Sequence, residues 1–342
     1  MINQVLVTGA TGFIAMQTII DLLEAGYRVR GTVRSLDRAE SLRDTIREHT
    51  PMADTLECVE ADLSSDRGWA DAVSGCDAIL HIASPFPAVL PKNHDDLIKP
   101  ATEGALRVLR AAKNAGVARV VMTSSLAAIG YGWGDNRPDL LDESNWSDPD
   151  NLKDNTAYTR SKTIAEKAAW NYVTSPEGEG LKLTTINPVA VLGPTLSADT
   201  SSSLQIITQL MSGKMPALPN LSFSIVDVRD VAKAHILAMN SEESVGKRIL
   251  VSDKTLWMSE IADIVREAFP ERAKKVPSGK VPNWAVHLLS VMDPTLKAIL
   301  PELGQFRAVS NERMRTMLGM EPISAKEAII ASAQSLIEQK VL

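Results

Sequence analysis

The chain has 342 residues, 44% hydrophobic and 23% charged, which is enough apolar content for a packed core and too much for a disordered chain. Its 36 basic and 42 acidic side chains leave a net charge of -6, and no window concentrates positive charge, which argues against nucleic acid as a partner. Cys58 and Cys76 stand outside any C-x-x-C or Cys/His spacing, so no metal site is expected and both are read as reduced core thiols.

The chain opens with an apolar run too short for a secretory signal and lacking a basic start, which reads as a buried strand at 5–8. Nothing later approaches the roughly 18 apolar residues of a membrane span. A cytoplasmic protein that does not engage a membrane is therefore expected. A glycine-bearing turn leads from the strand into a helix over 13–25, ended by Gly26. The same grammar recurs, with β-branched runs at 29–33, 56–59, 78–82, 119–123 and 183–186 separated by helical segments at 36–48, 66–73, 95–115 and 155–172. Such alternation predicts an α/β fold, a doubly wound parallel sheet with helices on both faces. Past Asn187-Pro188 the pattern loosens through Gly193-Pro194, a Ser/Thr cluster at 197–203 and two X-Pro breaks. A helix at 228–239, a strand at 248–251 and helices starting near 259, 282 and 325 complete the reading. The expected division is a nucleotide domain at 1–190, to which 225–252 returns, and a smaller, mainly helical C-terminal substrate lobe formed by 191–224 and 253–342.

The first turn reads Gly9-Ala10-Thr11-Gly12-Phe13-Ile14-Ala15, closing a strand and opening a helix. Small residues there let backbone N–H groups approach a pyrophosphate, and the helix N-terminus supplies partial positive charge beneath it. Alone, the match is weak and describes many tight turns. At the first strand-to-helix junction of a βαβ run it points to a dinucleotide. The second strand then ends in Thr32-Val33-Arg34-Ser35, with Arg34 lying 19 residues past Ala15 and Arg38 four further on. An acidic residue at that place would bind the ribose 2′-OH of NAD, whereas a guanidinium suits the 2′-phosphate of NADP(H). The plainer alternative is a pair of solvated loop charges, with Asp37 free to compete. Asp62, just past the third strand, fits either a hydrogen bond to the adenine or an ordinary turn.

Tyr158 and Lys162 are four residues apart at the start of a helical segment and so share one face. A neighbouring cation favours the phenolate and brings a phenol of pKa near 10 toward a useful range. By chance alone the pair would be a surface tyrosine and a solvated lysine. The strand before it, however, ends in Thr123-Ser124-Ser125, where ligands sit in open α/β sheets. Ser125, Tyr158, Lys162 and the nucleotide turn together make coincidence a poor explanation.

With these residues the chain resembles the extended short-chain dehydrogenases/reductases, in the branch of dihydroflavonol reductase, cinnamoyl-CoA reductase and microbial NADPH-dependent aldehyde (methylglyoxal-type) reductases. The resemblance is carried by Val-Thr-Gly-Ala-Thr-Gly-Phe-Ile-Ala at 7–15, Thr-Val-Arg-Ser at 32–35, Ala-Asp-Leu at 61–63, His-Ile-Ala-Ser-Pro-Phe at 81–86, Thr-Ser-Ser at 123–125, Tyr-x-x-x-Lys at 158–162, Asn-Pro-Val-Ala-Val-Leu-Gly-Pro at 187–194 and Val-Asp-Val-Arg-Asp-Val-Ala at 226–232. It implies a Rossmann-type nucleotide domain and a catalytic set of Ser125, Tyr158 and Lys162. Tyr158 would protonate the carbonyl oxygen as hydride arrives, Ser125 would hold that oxygen, and Lys162 would tune the phenol and orient the ribose. It further implies that Gly9, Thr11, Gly12, Phe13, Ile14 and Ala83 line the pyrophosphate path and that Arg34 and Arg38 meet the 2′-phosphate. Asp62 and Leu63 would face the adenine, Pro188 and Val189 the carboxamide, and Ser203 a further part of the cofactor.

Phe86, Leu126, Tyr131 and Trp133 are expected around the nicotinamide and would suit an apolar or aromatic carbonyl compound. Tyr131 and Trp133 read equally well as packing in a glycine-rich loop. His81 reads as a packed strand residue and Arg229 with Asp230 as a helix-start charge pair. The helix over 101–112 offers no asparagine as a fourth catalytic member. The expected activity is reversible NADPH-dependent reduction of aldehydes and ketones on a small-molecule carbonyl or alcohol substrate, by a monomer or homodimer. The alternatives are a non-catalytic NADP(H)-responsive binding protein and a sugar-nucleotide epimerase. Arg34, and the apolar Leu126-Ala127-Ala128 where dehydratases place acids, count against the epimerase and dehydratase readings.

Overall fold

The computed structural model describes residues 2–85, 91, 93–198 and 202–342. Seven parallel strands form the main sheet, in the spatial order Glu57–Glu60, Arg28–Val33, Gln4–Val7, Ala78–His81, Arg119–Thr123, Lys182–Pro188 and Arg248–Val251. The central ones, such as Gln4–Val7 and Ala78–His81, are the runs that the sequence marks as continuously apolar. The reason is visible in their packing, because side chains point to opposite faces in turn and both faces are covered. Val5 and Val7 join one core while Leu6 joins the other, and Ala78 and Leu80 likewise part from Ile79. Helices Phe13–Glu24 and Val228–Asn240 pack together on one face, and Asp95–Ala115 and Ala157–Val173 on the other.

The chain runs outward from Gln4–Val7 to one edge and returns to Ala78–His81 on the other side of its first strand. That reversal opens a crevice at the carboxyl ends of the two strands, where ligands bind in sheets of this kind. Several bounds shift from expectation. The segment expected as one helix at 36–48 is a single turn, Leu36–Arg38, followed by the helix Ala39–Arg47. The helix expected at 66–73 is confined to Trp69–Val73.

The C-terminal part contains the helices expected, among them Met258–Ala268, Asn283–Leu289 and Ala325–Glu338. It also holds a three-stranded sheet that the sequence reading does not foresee. Ser222–Asp227 pairs in parallel with Ala190–Leu192 and antiparallel with Lys254–Trp257. These strands are short, and Ser222–Asp227 and Lys254–Trp257 mix their apolar residues with Ser, Thr, Asp and Lys, so they lack the continuous signature of the main sheet. No helix among the described residues is long and apolar enough to cross a membrane.

Candidate active site

A cleft of about 590 Å³ lies over the carboxyl ends of the sheet. Its floor is the first glycine turn. Gly9 has φ +68°, and a Cβ there would stand 2.9 Å from the Cβ of Ala83 on the neighbouring strand end, so the two backbones meet at a distance that only glycine permits. Gly12 caps the helix Phe13–Glu24 with no side chain, and no acidic residue occupies the first turn. The first-turn N–H groups therefore face the cleft, beside Thr11, Phe13 and Ile14 in its wall, as an anion site requires.

Arg34 closes the strand Arg28–Val33, is exposed, and lies in the cleft wall. Asp37 is tied to Ser35, receiving its hydroxyl at 3.1 Å and donating its N–H to it at 3.3 Å, and it is not part of the wall. Arg38, in the one-turn helix Leu36–Arg38, is exposed and also lies outside the wall. Asp62 forms the turn that the plainer reading describes. Its Oδ1 accepts the Ser64 N–H at 2.7 Å and hydroxyl at 2.6 Å, which pull its carboxyl below the usual range, and it still lines the cleft with Leu63. Trp69 braces that turn, its indole donating to the carbonyls of Asp62 and Ser65 at 3.0 Å. Ala83, Pro188, Val189 and Ser203 are in the wall as the resemblance implies.

The helix Ala157–Val173 begins with a capping box in which Thr156 and Thr159 bond each other's backbone N–H. This start puts Tyr158 in the first turn and Lys162 on the same face one turn later, with the ammonium 6.0 Å from the phenol ring centre. Ser125 arrives from the strand Arg119–Thr123, caps the one-turn helix Leu126–Ala128 and hydrogen-bonds Tyr158. All three side chains line the cleft. Burial pushes the Tyr158 phenol above its ordinary value, with the Ser125 bond lowering it in part. Burial also brings Lys162 down to about 8, with Glu166 pulling the other way. The acidified phenol expected from sequence is therefore corrected: in the protein alone, desolvation outweighs the ammonium. The phenol rests in its protonated form, the one able to donate.

The residues expected about the nicotinamide fare less uniformly. Phe86 lies outside the described residues. Leu126, Tyr131 and Trp133 are half-buried and are not part of the cleft wall. Leu126 packs on the main core, and the Trp133 indole donates to the Ile129 carbonyl at 2.9 Å, the loop packing that glycines around it allowed. Tyr131 lies under the Arg307 guanidinium, 4.4 Å from the ring centre, and its phenol is raised by burial first, with Tyr158 adding to the rise. His81 is buried and shares a 2.9 Å bond with Thr8; burial drops it to about 3, so it stays neutral. The charge pair expected of Arg229 and Asp230 is corrected. Arg229 forms a bidentate pair with Asp227 at 2.8 Å, while Asp230 turns inward to accept the Ile323 N–H at 2.7 Å. Cys58 and Cys76 are both free thiols. Among the described residues no cluster of His, Cys, Asp or Glu could hold a metal.

Sequence reasoning did not single out Glu166, Arg248 or the side chain of Asn187, which stand directly behind the catalytic pair. The available signal was a glutamate four residues past Lys162, on the same helical face.

Comparison with known proteins identifies the family. Residues 5–251 match the model of the NAD dependent epimerase/dehydratase family. The cinnamoyl-CoA reductase CAD2 of Medicago truncatula is 37% identical over 271 residues, covering 78% of this chain and 81% of its own. The NADPH-dependent methylglyoxal reductase GRE2 of Saccharomyces cerevisiae is 32% identical over 358 residues, 98% of each chain. The crystal structure of yeast methylglyoxal/isovaleraldehyde reductase Gre2 complexed with NADPH superposes with a TM-score of 0.80 at 30% identity, covering 99% of both chains.

Proposed function

The chain belongs to the NAD dependent epimerase/dehydratase family, and from that premise we propose that it is an NADPH-dependent reductase converting aldehydes or ketones to alcohols, and alcohols back when the cofactor is oxidised. One observation carries the reading: Ser125, Tyr158 and Lys162 share one cleft wall with the glycine turn and Arg34. The uncapped helix N-terminus, the Gly9–Ala83 approach and the guanidinium at the second strand end fit a phosphorylated dinucleotide. Bound there, NADPH supplies a hydride from its nicotinamide.

Gly9, Thr11, Gly12, Phe13 and Ile14 hold the pyrophosphate, Arg34 the 2′-phosphate, Asp62 and Leu63 the adenosine, and Ala83, Pro188, Val189 and Ser203 the remaining length. Arg38 adds to the field around the 2′-phosphate from outside the wall. Ser125 donates to the substrate oxygen and keeps it against Tyr158. Tyr158 gives its proton to that oxygen as negative charge develops, and Lys162, cationic beside it, stabilises the phenolate left behind.

Residues 1–190 with 225–252 form the cofactor unit, and 191–224 with 253–342 supply the substrate side. In support, Arg248–Val251 extends the main sheet, although Ser222–Asp227 straddles the border. The relatives named as methylglyoxal reductases match 97% and 98% of this chain against 78% for a cinnamoyl-CoA reductase, which favours a small carbonyl compound. Two free thiols favour the cytoplasm. The protein acts as a monomer or a homodimer, which sedimentation resolves.

The experiment mixes purified protein with NADPH and a panel of alkyl and aryl aldehydes and ketones and follows loss of the reduced nicotinamide. Turnover of at least one compound is expected. Tight NADPH binding with none turned over would leave the binding-protein reading standing in its place.

A further inference from the structure

Glu166 is 1% exposed, one turn past Lys162 on the same helix. A carboxylate so deep is tolerated only if its lone pairs are saturated. Oε1 accepts Arg248 Nε at 2.7 Å, Trp170 Nε1 at 3.1 Å and the Thr185 hydroxyl at 3.1 Å. Oε2 accepts Asn187 Nδ2 at 2.8 Å and the Ser124 hydroxyl. The same Asn187 amide donates to the Ser125 carbonyl at 3.2 Å. One carboxylate thus ties the helix that carries Tyr158 and Lys162 to the strand end that carries Ser125, through the residue before it and through its own backbone. Arg248 is anchored in turn on the carbonyls of Glu143, Asn145 and Ala128 and lies 3.7 Å over the Trp146 ring. A small pocket of about 20 Å³, room for roughly one water, is lined by Lys162, Glu166, Ser124 and His81 among others.

We propose that Glu166 is a positioning residue for the reduction, holding Ser125 in register with Tyr158 and keeping the buried Lys162 cationic. This rests on the function proposed above. A purely structural ion pair would require only Arg248. Glu166 instead spends two contacts on the strand end beside Ser125 and lies a single helical turn from Lys162. The other groups facing Lys162 are Tyr158 on its own helix, His81 on the adjacent strand and the hydroxyls of Ser124 and Ser125. His81 is neutral and the rest carry no charge in the resting state, which leaves Glu166 as the anion among these neighbours.

The test uses the full chain with NADPH and a carbonyl compound that the native protein reduces. In Glu166→Gln the alkaline limb of kcat/KM moves to lower pH by about one unit, a tenfold change in Lys162 protonation at fixed pH. Glu166→Asp, which keeps the charge and shifts it by a methylene, restores the limb while kcat stays several-fold low. An unmoved limb in Glu166→Gln, whatever happens to kcat, overturns the proposal. Should Glu166→Gln not fold, Ser124→Ala is read instead: kcat falls about tenfold, a loss of about 1.4 kcal/mol, with KM for NADPH unchanged, and an unaltered kcat overturns it. If the native protein reduces no carbonyl compound, the functional reading fails and takes this inference with it; turnover with an unmoved limb removes the role of Glu166 alone.

Discussion

The cleft over the strand ends and the C-terminal lobe above it are assembled on different terms. In the cleft, regular elements fix each functional side chain: a strand end for Ser125, a capped helix for Tyr158 and Lys162, a glycine turn for the anion site. In the lobe a separate small core gathers Leu221, Val286 and Leu303, and Trp284, Val291 and Met292 are 70%, 84% and 89% exposed. Side chains placed by periodic backbone can be read from spacing, while packing among the elements of the lobe needs coordinates.

The contrast predicts that lesions in the cleft act on chemistry or cofactor and lesions toward the lobe act on substrate. The largest effect is expected for Lys162→Met, where kcat falls about 10²–10⁴-fold in steady-state assays on a protein that keeps its thermal midpoint. Arg34→Ser comes next. It removes charged hydrogen bonds worth about 1.5–3 kcal/mol, so KM for NADPH rises about 10- to 100-fold while KM for NADH stays within about twofold. Equal losses for both cofactors would show that Arg34 does not touch the 2′-phosphate.

The pH profile is a subtler check. Burial lowers Lys162 from 10.5 to about 8, so its cation is present below that pH and lost as pH rises through it. kcat/KM for reduction is therefore level through neutrality and declines above about pH 8. His81 and His235, lowered by burial to about 3 and 4, are neutral throughout and add no acidic limb between pH 5 and 8. The smallest change is expected for Tyr131→Phe: kcat/KM for the carbonyl compound shifts about two- to tenfold with KM for NADPH unaltered. A loss beyond about a hundredfold would move Tyr131 into the proton-transfer machinery and blur the contrast.

Most of the main sheet and the cleft was legible from sequence, for identifiable reasons. Strands buried on both faces are continuous apolar runs, and the first helix announces itself by period and by Gly26 just past its end. Gly9, Arg34, Ser125 and Tyr158 each sit at an element boundary, where residue type and position constrain each other, and Lys162 follows Tyr158 by one helical turn. The three-stranded sheet was hidden because Ala190–Leu192 is only three residues long and Ser222–Asp227 and Lys254–Trp257 hold few apolar residues among polar ones. Glu166, Asn187 and Arg248 were hidden for another reason: they lie 21 to 82 residues apart and meet only through tertiary packing. The direction of the Tyr158 shift also depends on burial, which spacing does not reveal. Four residues of separation predict a cation beside the phenol, yet desolvation of both groups decides the outcome.

The central claim is that the Tyr158 hydroxyl supplies the proton. Single-turnover oxidation of enzyme-bound NADPH by a carbonyl compound, native protein against Tyr158→Phe, tests it most directly. The account predicts a rate lower by at least about a hundredfold, with the Kd for NADPH within about threefold of the native value. A Tyr158→Phe protein that oxidises NADPH at the native rate would contradict it.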